Sequence, residues 1–245
     1  MDRLVYVAMS GAKQTMSQQA AVANNLANAN TTGFRAEFAA FRAVPVQGQA
    51  QATRAFVVDS SSGADFTPGS LQQTGRALDV AVQGSGWIAV QGADGSEGYT
   101  RDGNLQVSKT GAITTHHGMP VLGDSGPLTA PVGSVVTIAA DGTVSATQDG
   151  TPPAVSSVGR IRLVDPASTN LTRSDDGLFR TRDGKPVPVD AKVTLAPGNL
   201  EASNVNMTEQ MVQMIALARQ YDLNTRLITT AGDNEKAASQ VLALA

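Results

Sequence analysis

Ala23-Asn24-Asn25-Leu26-Ala27-Asn28-Ala29-Asn30-Thr31-Thr32-Gly33-Phe34 is the stretch across which the chain changes character. Ahead of it, apolar positions recur at Val5, Met9, Ala12, Met16, Ala23 and Leu26, with Gln19 at the remaining step, and the intervals alternate four and three. That spacing predicts a helix with one seam that packs along another helix. Residues 4–28 contain no Pro and one Gly, Gly11, so the helix runs roughly 35 to 40 Å at 1.5 Å per residue. Asn28, Asn30, Thr31, Thr32 and Gly33 then gather where a helix needs a left-handed exit. Gly33 is the position there that takes positive φ without steric cost. Asn24, Asn25 and Asn28 carry two readings side by side: local capping, or bonding to a neighbour's backbone through an amide that is both donor and acceptor.

The far end mirrors this. Asn206 is a good N-cap with Glu209 three residues on as its capping-box partner. Met207, Met211, Met214, Ala218, Tyr221, Thr225 and Ile228 again alternate four and three. Gly232 and Asp233 are expected to break or bend this helix before residues 236–245 resume it. The methionines suit adaptable packing against differing neighbours. Neither terminal helix buries its seam alone, so the two are expected to pair with each other, with neighbouring subunits, or both.

Between the ends the texture is different. Residues 34–77 mix Phe34, Phe38, Phe41 and Phe56 with Gln, Ser and Gly, and read as an irregular or extended connector. From 78 onward short apolar runs are punctuated by Asp94-Gly95, Asp102-Gly103, Asp141-Gly142, Asp149-Gly150, Asp176-Gly177 and Asp183-Gly184. Dense Asp-Gly turns between β-branched runs are the pattern of antiparallel strands, and no βαβ alternation appears. The fold class is therefore α+β: long N- and C-terminal helices paired as a coiled-coil-like unit, a central antiparallel β domain and an extended connector. The boundaries are 1–33 and 204–245 for a helical polymerisation domain, 34–77 and 196–203 for the connector, and 78–195 for a β-rich outer domain.

Composition narrows the function. Hydrophobic residues make up 41% of the 245, a normal globular share, but aromatic residues only 4%, so the core is built from Val, Ile, Leu and Ala. A net charge of -3 leaves no basic surplus for a phosphate backbone, so no nucleic-acid partner is expected. Zero cysteines remove disulfides, thiolate metal sites and Cys nucleophiles. No stretch reaches the roughly 18 consecutive apolar residues of a membrane span. Residues 1–12 lack the charged and apolar regions of a cleavable signal.

Reactive constellations are sparse. His116 and His117 are the only histidines, and adjacent residues of a strand face opposite ways, which is poor placement for one metal. Gly84-Ser85-Gly86 lacks the flanks of a nucleophile elbow and reads as a turn. Asp175, Asp176 and Asp183 lack calcium-loop spacing. No catalytic residue, cofactor, metal or small-molecule substrate is expected.

Four blocks, in order, carry a resemblance. Residues 23–34 resemble the first helix exit of the rod and hook axial proteins of the bacterial flagellum. Leu78-Asp79-Val80-Ala81-Val82-Gln83-Gly84-Ser85-Gly86-Trp87 is similar to that family's entry into its β domain. Tyr99-Thr100-Arg101-Asp102-Gly103-Asn104, with Gly111, Gly118 and Val121-Leu122-Gly123, resembles the next block. Pro197-Gly198-Asn199-Leu200-Glu201-Ala202-Ser203-Asn204-Val205-Asn206 resembles the opening of the last helix. Trp87-Ile88 departs mildly from the aromatic pair common there. The opening 1–12 and the ending 231–237 look like a proximal-rod member, with the distal-rod protein as the alternative and a secreted β-rich adhesin a more distant one. The resemblance implies export without a cleaved signal by the flagellar type III apparatus, and assembly with further copies and with other proximal and distal rod proteins. It implies a hollow rod across the periplasm, terminal helices inside and β domain outside, in which torque passes as force on subunit contacts.

Overall fold

The computed structural model describes residues 2–45, 55–148 and 154–243. They form an N-terminal helix, α1 (Asp2–Ala27), a succession of short strands, and a C-terminal helix, α2 (Met207–Ala243). Two compact units result: one from Met1–Asn28, Glu37–Gly63 and Val205–Ala245, the other from Ala29–Ala36 and Ala64–Asn204.

In the helical unit, α1 packs on α2 and on the strand Glu37–Pro45. That strand pairs with Ala55–Ala64, so the stretch expected as an irregular or extended connector contains a two-stranded ribbon. The buried positions of α1 are Ala8, Thr15, Val22 and Asn25. On α2 the more buried line is Gln210, Met214, Leu217, Tyr221, Asn224, Ile228 and Ala231, itself at intervals of four and three. Polar atoms meet across the pair: Asn224 Nδ2 donates to Thr15 Oγ1 at 3.3 Å, and Asn25 Nδ2 to Gln210 Oε1 at 3.3 Å. The start of α2 is capped as expected, with the Glu209 N–H donating to Asn206 Oδ1 at 3.3 Å. The expected break at Gly232 and Asp233 does not occur, and α2 runs unbroken to Ala243. One helical glycine costs only about 1 kcal/mol, and the Ala-rich segment that follows favours helix.

The β unit is antiparallel at every named strand pair. Its five-stranded sheet runs Leu163–Val164, Trp87–Gln91, Glu97–Thr100, Phe179–Thr181, Leu171–Arg173 in spatial order. A three-stranded sheet joins Val135–Ile138, Thr143–Gln148 and Ala154–Arg160, with a bulge between Val144 and Ser145. The strand Trp87–Gln91 is buried on both faces. Ile88 and Val90 enter an aliphatic core with Val80, Leu105, Ile113, Val121, Val144 and Ile161. Trp87 and Ala89 enter a second cluster with Tyr99 and Phe179, where Phe66 meets Trp87 edge-on and both pack tilted against Phe179, with centroids 4.8 to 5.9 Å apart. Four of the ten aromatic residues thus gather on one face.

Most of the expected Asp-Gly turns are turns. Asp94, Asp141 and Asp176 each accept the N–H two residues on, from Ser96, Thr143 and Leu178, at 3.0 to 3.1 Å. The Ser96 hydroxyl, with the Ser96 N–H, lowers the Asp94 carboxyl, and the Thr143 N–H and hydroxyl lower that of Asp141. Asp102-Gly103 is the exception: a Cβ on Gly103 would sit 1.6 Å from the Val80 carbonyl oxygen. Glycine is there for close backbone approach, and the pair makes no hairpin. Asp149-Gly150 lies outside the described residues.

Candidate assembly site: the helix exit and the exposed helical stripes

The α1 exit is built by the asparagines singled out in the sequence. Asn28 caps locally, its Nδ2 donating to the Asn24 carbonyl at 2.9 Å and to Asn24 Oδ1 at 2.8 Å. Asn24 Nδ2 donates to Glu37 Oε2 at 2.9 Å. Asn25 is buried and uses both ends of its amide on one residue: Nδ2 donates to the Glu37 carbonyl and Oδ1 accepts the Glu37 N–H, each at 2.7 Å. It imitates a β-bridge partner and ties the first ribbon strand to the helix end. Of these residues, Asn28 caps locally, while Asn25 bonds the backbone of Glu37 in its own chain.

Gly33 has φ of 66°, the left-handed conformation expected. Its place is also sterically closed, since a Cβ would lie 2.2 Å from the Arg101 carbonyl carbon and 2.5 Å from the Asp102 nitrogen. The Gly33 N–H donates to the Glu201 carbonyl at 2.8 Å. Thr32 Oγ1 donates to Asp102 Oδ1 at 2.6 Å.

Beneath Gly33 lies a charged cluster. Glu201, 1% exposed, faces two arginines: Arg35 Nη2, 0% exposed, lies 2.7 Å from Oε1, and Arg101 Nη1, 3% exposed, donates to Oε2 at 3.0 Å. The Gly69 N–H donates to Glu201 Oε1 at 2.9 Å. Arg101 also donates to the Val82 and Gly84 carbonyls, at 3.3 and 2.6 Å, and sits 5.3 Å over the Trp87 ring. Burial pulls the Arg101 guanidinium below its ordinary value, and the Glu201 charge opposes that pull. Sequence reading missed Arg35, Arg101 and Glu201. Charged residues in short strands read as solvated, and the available signal was that Arg101 and Glu201 fall inside two recognised blocks while Arg35 closely follows another.

The helical seam residues divide. On α1, Met9 and Met16 are 52% and 57% exposed, Ala23 is exposed, and Val5, Ala12 and Leu26 are half-buried. The buried line Ala8, Thr15, Val22, Asn25 runs one residue N-terminal to the line Met9, Met16, Ala23, Leu26, a turn of about 100° around the helix. On α2, Met214, Tyr221 and Ile228 lie on the more buried line, while Met207, Met211 and Ala218 are exposed. Val212, Ile215, Leu223 and Leu227 extend the exposed apolar surface of α2. No helix among the described residues is long and apolar enough to cross a membrane, and no His, Asp and Glu group among them is arranged to hold a metal ion.

A helical unit that mixes polar groups into its interior and leaves large apolar ones outside suits an assembling protein, and comparison with known proteins gives the assembly. Residues 5–35 match the family described as flagella basal body rod protein, 81–146 the flagellar hook protein FlgE/F/G D1 domain, and 196–241 the flagellar basal body rod FlgEFG protein C-terminal region. The chain is 50% identical over 251 residues to the flagellar basal-body rod protein FlgF of Salmonella typhimurium, and 48% over 252 residues to that of Escherichia coli, with 100% of each chain covered. A Bacillus subtilis rod protein, FlgG, is 31% identical over 95% of this chain and 96% of its own. The chain belongs to the flagellar basal-body rod protein family, in its FlgF branch. It is a structural component of the flagellar rod and not an enzyme.

Proposed function

We propose that the chain polymerises in the proximal rod through the exposed stripes of its two terminal helices. Met9, Met16 and Ala23 of α1 and Met207, Met211 and Ala218 of α2 contact neighbouring subunits. The other seam residues, Val5, Ala12, Leu26, Met214, Tyr221 and Ile228, close the intrachain pair with coiled-coil-like spacing. Residues 1–33 and 204–245 form the polymerising part, and 78–195 the outer β domain, joined by 34–77 and 196–203. Partners are further copies, the other proximal and distal rod proteins, and the flagellar type III export apparatus, which passes the chain without a cleaved signal. Torque crosses the periplasm as force on these contacts.

One observation carries the reading: in a chain of this family, the apolar line at heptad spacing on α1 is exposed, with Met9 and Met16 more than half accessible. Methionine side chains adapt to differing neighbours, which suits subunits seated in non-identical places. The test is swimming and basal-body electron microscopy in cells carrying Met16→Glu or Ala218→Glu. An unpaired carboxylate in a desolvated helix contact costs several kcal/mol, so both are expected to abolish rods while leaving the isolated chain folded. His116→Ala and His117→Ala serve as silent controls. Swimming by the Glu variants, with loss in the histidine ones, refutes the assignment.

A further inference from the structure

Five consecutive residues after the helix exit are each fixed to the β unit, although the segments flanking the stretch 29–36 belong to the helical unit. Thr32 donates to Asp102, and Gly33 lies against the Arg101–Asp102 peptide with its N–H on the Glu201 carbonyl. Phe34 is buried under the Arg173 guanidinium, 4.3 Å from it. Arg35 meets Glu201, and its carbonyl accepts from Arg173 Nη1 at 3.2 Å. The Ala36 N–H donates to Asn204 Oδ1 at 2.7 Å, and its carbonyl accepts the Asp65 N–H at 2.8 Å. Asn204 Nδ2 turns back to the Asp65 and Thr67 carbonyls at 2.9 and 3.0 Å.

We propose that residues 32–36 are an obligatory closing segment of the β unit, and that the buried Arg35–Glu201–Arg101 cluster is the latch that fixes its register. Two independent conditions two residues apart have to be met together. The position against the Arg101–Asp102 peptide admits no Cβ, which only Gly33 satisfies. The position facing Glu201 requires a cation, which only Arg35 supplies within the segment. A slip of one residue in either direction drives Thr32 or Phe34 into the glycine seat and sets Phe34 or Ala36 before the buried carboxylate. Glu201 keeps Arg101 in such a slip, but the buried Arg35 is carried away from its carboxylate. Burying a charge without its partner is strongly destabilising, so shifted seating is penalised at both positions and docking becomes all-or-none. The β unit then completes its fold only when the exit of α1 and the approach to α2, which carries Glu201, are both in place. Fixing register is the best-attested use of a buried ionic group.

The test uses the full chain, with amide hydrogen exchange at Gly33 and Ala36 and chemical unfolding of the β unit. Arg35→Met, which keeps the stem and drops the charge, is expected to shift the unfolding equilibrium at least about a hundredfold towards the unfolded state. Glu201→Gln is expected to do the same. The double variant should lose no more than about the worse single one, because both remove the same latch. Arg35→Lys keeps the charge without the planar fork and should fall between wild type and Arg35→Met. That ranking separates a charge latch from simple packing, and it holds even if Arg35→Met fails to fold. Wild-type protection of the Gly33 and Ala36 amides in Arg35→Met, losses that multiply in the double variant, or an Arg35→Lys no better than Arg35→Met would each overturn the proposal.

Discussion

The two units solve the problem of burial in opposite ways. The β unit is saturated: Val80, Ile88, Val90, Leu105, Ile113, Val121, Val144 and Ile161 are wholly inaccessible. The helical unit places Thr15, Asn25, Gln210 and Asn224 on its inner lines and leaves Met9, Met16, Met211, Val212, Ile215, Leu223 and Leu227 outside. Apolar surface drives association roughly in proportion to the area removed from water. One unit is therefore complete as a single chain, while the other has its strongest driving force still unspent.

The largest effect is expected at Gly33. Positive φ and backbone atoms within van der Waals contact oppose any side chain there, so even Gly33→Ala is expected to destabilise the β unit by on the order of 2–5 kcal/mol, and Gly33→Val by more. Gly118 has a similar φ of 81° but open space around its Cβ position. Gly118→Ala should then cost only about 1–2 kcal/mol, the conformational part alone. Urea unfolding of the three variants reads the difference. Equal losses at Gly33→Ala and Gly118→Ala would mean that the Arg101–Asp102 peptide yields and the exit is not closed.

Limited proteolysis of the isolated chain should show the contrast directly. α1 and α2 are expected to be cut first, because a helix pair whose interior is partly polar and whose large apolar side chains are left outside has less to hold it. The sequence alone suggests a surviving core within 78–195. The structure moves its limits outward: Ala29–Ala36 is part of the β unit with Ala64–Asn204, so peptides from 29–36 should remain bound to the core after the helices are lost. Mass spectrometry of the resistant complex checks this. Loss of 29–36 together with α1 would place the exit outside the β unit.

A moderate effect is expected at high pH. Burial pushes the Tyr99 phenol up to about 12, while its bond from the Val187 N–H, at 2.8 Å, pulls the other way. An acid whose pKa is raised on folding stabilises the fold fully below its unfolded value of about 10, and that contribution is lost as pH rises towards 12. Stability of the β unit should fall across that window, and Tyr99→Phe should flatten the fall at the cost of the Val187 bond. A fall of unchanged slope in Tyr99→Phe would assign it to other groups.

Much of this was legible from sequence, for reasons visible residue by residue. Period and caps gave both helices, because Asn206 and the Asn-Thr-Gly cluster after Asn28 act locally. The Asp-Gly turns at 94, 141 and 176 are equally local. The seam of α1 was found one residue away from the buried line because apolar periodicity marks the side that wants burial, and a single chain leaves that side exposed. The ribbon of Glu37–Pro45 and Ala55–Ala64 was obscured by Pro45 and the serines before Gly63. The Arg35–Glu201–Arg101 cluster was out of reach, since its members are remote in sequence and only the fold makes a charged strand residue a buried one. Asp102-Gly103 misled for the same reason: its glycine answers to Val80, a tertiary neighbour.

The smallest effect is expected inside the helix pair, and it asks whether the polar seam is a weakness or a device. Thr15 Oγ1 donates back to the Gly11 carbonyl at 2.9 Å and accepts Asn224 Nδ2 at 3.3 Å. Gly11 itself leaves room beside Asn224, whose side chain would lie 3.5 Å from an added Cβ. Thr15→Val keeps the shape and removes the hydroxyl, leaving the half-buried Asn224 amide without that acceptor. The expected cost is about 0.5–1.5 kcal/mol to the helical unit. Replacing both partners by apolar groups tends towards neutral or better, so Thr15→Val with Asn224→Leu should recover the loss. Helical ellipticity during thermal melting reads both variants. Recovery in the isolated chain together with impaired swimming would show that the polar seam keeps the pair loose enough to be completed by neighbours. If the double variant loses the sum of its parts, the Thr15–Asn224 bond is needed for its geometry, and the contrast between a complete and an incomplete unit has to rest on the exposed stripes alone.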